Sequence, residues 1–135
     1  MSQSFPCHVI SEGSVEGQIL HSDDAICFYL VDPETGKVIE KGHALEGQSI
    51  ADKVLVFPNG KGSSVVQADG LFQLLKHGTA PKALITSSAD TTLVASAIIL
   101  EIVMCDRLAD DFYQNVADDD IVRVDTDART VELVS

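Results

Sequence analysis

The chemical potential of this chain concentrates between Lys53 and Val66, where Gly60 and Gly62 bracket Lys61 and the pair Ser63-Ser64 follows directly. Upstream, Val54-Leu55-Val56-Phe57 is a short apolar run that reads as a buried strand. Pro58 and Asn59 stop it, and Gln67 to His77 reads as a helix. A strand emptying through a glycine-bearing loop into a helix start gathers unpaired backbone N–H groups at one point. Those donors, the helix dipole and Lys61 favour an anion there: a carboxylate, a phosphate or an alkoxide. Ser63 and Ser64 supply hydroxyls beside that point, and Lys61, Gly62 and Ser64 are candidate contacts for an anionic ligand. The same residues also read as plain structure, because serine is a favoured N-cap and glycine serves backbone angles that side chains forbid. The roles of Ser63 and Ser64, one capping and one reacting, are interchangeable at this level. The spacing differs from a Walker loop, since the lysine lies between the glycines, and from the Gly-x-Ser-x-Gly elbow of serine hydrolases.

The flanking elements must position that loop. Cys7 to Ile10 and Val15 to Leu20 read as strands around a turn at Glu12-Gly13, and Ile26 to Val31 reads as a third. Asp32-Pro33-Glu34-Thr35-Gly36 is strong turn chemistry, so Lys37 to Glu40 is expected to return as a strand. Gly42 to Ser49 is a loop, and His43 within it is either a contact or a structural residue. The helix after the serine pair turns Leu71, Phe72, Leu74 and Leu75 inward, with Gly70 weakening its middle, and ends at Gly78 before Pro81. Lys82 to Thr86 is a strand, and Ser88 or Asp90 caps a helix through Leu93, Ala97 and Leu100. Val103 to Cys105 is a short strand, and Ile121 to Val124 with Thr130 to Val134 form a hairpin. This order predicts an α/β domain of mixed sheets with helices packed alongside, the Val54 and Leu84 strands being joined by a right-handed crossover. In such units ligands collect where strands end and helices begin.

Composition narrows the classes. The 135 residues suit one domain, and a hydrophobic fraction of 45% supports a real core. A net charge of −12 repels phosphate backbones and argues against nucleic acid as partner. The longest apolar run, Leu93 to Met104, is interrupted by Ser96 and Glu101, so no membrane span is expected. Met1 to Pro6 has no secretory pattern, which together with unpaired Cys7, Cys27 and Cys105 suggests the cytoplasm. No cysteine or histidine spacing points to a metal site in this chain.

Several segments occur in one order that resembles the aconitase X swivel-domain family. They are Val31 to Gly36, Gly42 to Ser49, Val54 to Ser64, Gly78-Thr79-Ala80-Pro81 and Ala97 to Leu108, the last ending Cys105-Asp106-Arg107-Leu108. The chain departs from the family pattern at Val66-Gln67-Ala68 and at Val103. The resemblance implies a swivelling β/β/α fold over residues 1–135, forming the small subunit of a dehydratase. It further implies a separate large subunit that carries an iron–sulfur cluster of the [4Fe-4S] type, with none bound by this chain alone. Archaeal members dehydrate mevalonate 5-phosphate in a modified isoprenoid route, and bacterial relatives dehydrate cis-3-hydroxy-L-proline. The serine after the second glycine, Ser63, matches the family's proton acceptor. A non-catalytic anion-binding or scaffolding module is the competing expectation.

Overall fold

The computed structural model describes residues 3–88 and 90–134. Among these the strands are β1 (Gln3–Pro6), β2 (His8–Ser11), β3 (Ser14–His21), β4 (Val54–Phe57), β5 (Ala83–Thr86), β6 (Val103–Asp106), β7 (Ile121–Asp125) and β8 (Thr130–Leu133). The helices are α1 (Ser64–His77), α2 (Thr91–Ile99) and α3 (Asp110–Asn115), with a single 3-10 turn at Phe28–Leu30. The strands lie in the order β1-β8-β7-β3-β4-β5-β6-β2.

Every residue of β4, β5 and β6 is buried, because both faces of these parallel strands are covered. Leu55, Phe57, Leu84 and Met104 face Leu71 and Leu74 of α1 and Leu93 and Ala97 of α2. Val54, Val56, Ala83, Ile85 and Cys105 face Phe5, Val122, Val124 and Val131 of the antiparallel strands, with Phe112 of α3. The result is three layers, antiparallel sheet, parallel sheet and helices, as the β/β/α expectation requires. Strand β3 serves both sheets: Ser14 to Gln18 pair antiparallel with β7, and Ile19 to His21 pair parallel with β4.

Three expectations are corrected. The first two strands exist but do not pair with each other; β2 lies against β6 at one edge, while β3 sits between β7 and β4. Ile26 to Val31 is not a strand but a buried, irregular segment, in which Ile26 and Val31 make isolated bridges on either side of the 3-10 turn. Lys37 to Glu40 is likewise reduced to bridges at Lys37 and Val38. Apolar content drew these segments inward, but they pack on α1 instead of joining a ladder. Gly70 explains the docking, since a Cβ there would stand 2.5 Å from the Phe28 carbonyl carbon and the Tyr29 nitrogen. A glycine that weakens a helix in isolation is here the only residue that lets another backbone cross it. Helix α1 also starts earlier than expected, at Ser64, and ends on Gly78 in the left-handed conformation, φ 74°; of the four residues expected to face inward only Leu71 and Leu74 do, while Phe72 and Leu75 lie on the exposed side. Strand β1 and helix α3 are additions to the elements expected from the sequence.

Candidate functional site

The serine loop is built from three directions. Ile26 runs beside it, its N–H donating to the Asn59 carbonyl (3.1 Å) and its carbonyl accepting from the Lys61 N–H (3.0 Å). Asp90 pins it from the next crossover: Oδ2 accepts from the Gly60 N–H (3.0 Å), while Oδ1 caps α2 by accepting from the Leu93 N–H (2.8 Å). Gln67 holds it from below. Only 1% exposed, it accepts from the Phe28 N–H (2.8 Å) and donates to the Ile26 carbonyl (3.1 Å). The departure from the family pattern at this position is therefore a clamp on the segment that lines the loop. A Cβ on Gly60 would strike the Gln67 amide nitrogen at 2.5 Å, so the glycine is required by that clamp.

Ser63 is the N-cap of α1, with φ −73° and ψ 165°, and its Oγ accepts from the Val66 N–H at 3.3 Å. Gly62 before it has φ 113°, a conformation that side chains disfavour. Ser64 opens the helix, and both serines are exposed. In the first turn an α-helix supplies no carbonyl to its own amides, so the N–H groups of Ser64 and Val65 remain available to an anion. The structure thus gathers Gly62, Ser63 and Ser64 at one edge. Lys61 joins them through its backbone, while its ammonium contacts Glu40 Oε2 at 2.5 Å. That pair is partly exposed and is worth no more than about 1 kcal/mol, so the lysine is free to exchange partners.

The loop after β5 lies alongside: the Ser88 N–H donates to the Pro58 carbonyl (3.0 Å) and the Ser87 hydroxyl to the same oxygen (3.2 Å). The loops after β4, β5 and β6 consequently share the carboxyl edge of the parallel strands. His43 does not reach this edge as a free contact. It is 7% exposed, one ring nitrogen bonding the Ala25 carbonyl (2.8 Å) and the other accepting from the Leu45 N–H (3.0 Å). Asp32 and Gly36 close a turn, with the Gly36 N–H donating to the Asp32 carbonyl at 2.7 Å.

Beyond β6 stands a group that sequence reading missed. Asp106, its side chain 6% exposed, lies 2.8 Å from His8 Nδ1, and Arg107 Nε lies 3.9 Å from its other oxygen. His8 and Asp106 are 98 residues apart and meet only because β2 pairs with β6, so no local spacing could have joined them. Nearby, the Tyr113 hydroxyl donates to the Thr86 carbonyl (2.7 Å), and burial pushes its pKa up to about 12. The neighbouring Cys7 thiol and burial raise the pKa of Cys105, and Cys105 in turn lowers that of Cys7. Among the described residues no group of three or more His, Cys, Asp or Glu is placed to hold a metal ion.

The description "Aconitase X swivel domain" belongs to the family profile that matches residues 4–133. The chain belongs to the aconitase X swivel-domain family. Within this family it is 46% identical over 127 residues to the phosphomevalonate dehydratase small subunit of Methanocella arvoryzae, covering 93% of this chain and 96% of that one. The protein of the same name from Methanosarcina acetivorans is 44% identical over 126 residues, covering 93% and 87%. The crystal structure of Thermococcus kodakaraensis aconitase X in its holo-form superposes with a TM-score of 0.88 at 38% identity, covering 98% of this chain and 99% of that chain. The swivel-domain architecture expected from the resemblance is therefore the observed one, and no helix among the described residues is long and apolar enough to cross a membrane.

Proposed function

We propose that this chain is the small subunit of a two-subunit hydro-lyase that dehydrates mevalonate 5-phosphate to trans-anhydromevalonate 5-phosphate, with Ser63 as proton acceptor. The observation that carries the reading is an exposed serine oxygen at a helix N-cap with a backbone N–H directed at it. The reaction takes a proton from the carbon beside the carboxylate and releases the hydroxyl of the next carbon, leaving a double bond and water. A serine hydroxyl is a poor base unless it is held as an alkoxide. The Val66 N–H and the positive end of α1 supply fixed polarity that favours that charge. Gly62 and Ser64 would present amides to the substrate carboxylate, and Lys61 would turn to it from Glu40.

An iron–sulfur cluster carried by the larger subunit would supply the Lewis acid for hydroxyl departure. The contribution of this chain is the proton transfer and the wall around it. The relatives' names favour the phosphorylated substrate over cis-3-hydroxy-L-proline. A docking face for the larger subunit lies beside the site: Val65, Phe72 and Leu75 share one side of α1 and are exposed, as are Tyr29 and Leu30 of the adjoining turn.

The test is a co-purified complex of this chain with its larger subunit, assayed for water loss from mevalonate 5-phosphate. Ser63→Ala is expected to lower kcat by about 10³-fold while the complex still assembles. Unchanged turnover in that variant would remove Ser63 from the mechanism. Phosphate binding with no turnover in the wild-type complex would favour the non-catalytic module.

A further inference from the structure

We infer that Arg107 and His8, anchored by Asp106, form a phosphate-binding subsite for the end of the substrate remote from Ser63. This rests on the reading of the chain as a dehydratase subunit acting on a phosphorylated hydroxy acid. Asp106 is the last residue of β6 and is almost fully buried, a position a carboxylate occupies only when paired. Its partner is His8 Nδ1 at 2.8 Å, directly opposite in the β2–β6 ladder. A carboxylate on Nδ1 fixes the imidazole with Nε2 outward. His8 is half exposed and, with Arg107, Ser87 and Ser88, lines a cavity of about 370 Å³.

Arg107 follows in the left-handed conformation, φ 57°, which costs energy for any residue but glycine. Its side chain is 73% exposed, and its nearest recorded carboxylate is 3.9 Å away, beyond hydrogen-bonding distance. On a chain of net charge −12, an open guanidinium and an imidazole on one cavity are the reverse of the general surface. A planar fork of guanidinium donors beside a fixed imidazole fits the oxygens of a phosphate.

Position assigns the end of the substrate. Strands β4, β5 and β6 are parallel neighbours, so Arg107 and the loop leading to Ser63 leave the same edge, from strand ends two spacings or about 10 Å apart. The proton taken by Ser63 lies beside the substrate carboxylate, which places that group at the α1 N-terminus. The extended pentanoate chain then carries its phosphate toward β6, and the arm of Arg107 closes the remaining gap.

The experiment uses the assembled two-subunit complex, with mevalonate 5-phosphate in turnover assays and inorganic phosphate in calorimetric titrations and as competitor. Arg107→Ala is expected to raise KM and to weaken inorganic phosphate by a common factor of about 30. Arg107→Lys should recover part of both, because one cation remains without the fork. His8→Asn should weaken both by about fivefold. Arg107→Ala with KM and phosphate affinity unchanged, or a wild-type complex that turns over substrate yet binds no phosphate, overturns the subsite and leaves the role of Ser63 standing. A wild-type complex inactive on mevalonate 5-phosphate defeats the functional reading instead. In that case, phosphate affinity lost in Arg107→Ala still supports an anion site here, and no phosphate binding removes it.

Discussion

The two faces of the parallel sheet are finished differently. On one, the antiparallel layer closes a core of Phe5, Ile19, Phe112, Val122, Val124 and Val131, and its outer surface is polar. Arg123 there pairs with Glu16 at 2.9 Å and Glu132 at 3.4 Å across adjacent strands. On the other face, α1 and the irregular segment around Phe28 leave Tyr29, Val65 and Phe72 exposed beside the serine loop, Val65 by 76%. One face is a brace complete in itself; the other is left open on the side where the site lies. The contrast separates residues that hold the fold from apolar residues left exposed beside the site.

Substitutions can break or sharpen that division. The largest loss of stability is expected on the brace: Phe112→Ala empties an aromatic cluster with Phe5 and Tyr113 and should cost about 3–5 kcal/mol in chemical denaturation. On the open face, Gly70→Ala drives a methyl into the Phe28–Tyr29 backbone, and the gain in helix propensity offsets little of that. A net loss of about 2–3 kcal/mol is expected, accompanied by weaker assembly, because the displaced turn carries Tyr29. Gln67→Ala strands the Phe28 N–H and should cost about 1–2 kcal/mol, lowering activity further by loosening the Ile26 strut along the serine loop. The smallest stability change is Val65→Asp, within about 0.5 kcal/mol, although capture of the larger subunit should fall sharply. If Val65→Asp assembles normally while Phe112→Ala does not, the division between the faces is drawn wrongly.

Legibility in the sequence follows the same line. Strands β4, β5 and β6 were readable because burial on both faces makes them continuous apolar runs. Helix α1 was readable from its caps, and the last hairpin from Asp125 to Arg129. The segment from Ile26 to Val31 misled, since apolar content reports burial and does not reveal whether a backbone finds a ladder or a helix to lie on. Gly70 held the missing information, but its meaning depends on Phe28, far away in the chain. At the site, Gly62, Ser63 and Ser64 were visible because they are contiguous. Asp106 and His8 were not, because only the β2–β6 pairing makes them neighbours. Of the two cap candidates for α2, Asp90 serves, and its second oxygen on Gly60 is a tertiary fact no cap motif encodes.

Strand β3 belongs to both sheets, and its antiparallel partner β7 is synthesised last but one, just as β1 waits for β8. The ladders of β1 and of the first half of β3 therefore depend on β8 and β7, some hundred residues further along the chain. Pairings of such long sequence separation carry the entropy of closing large loops, so the antiparallel layer is the slow part of this fold to assemble.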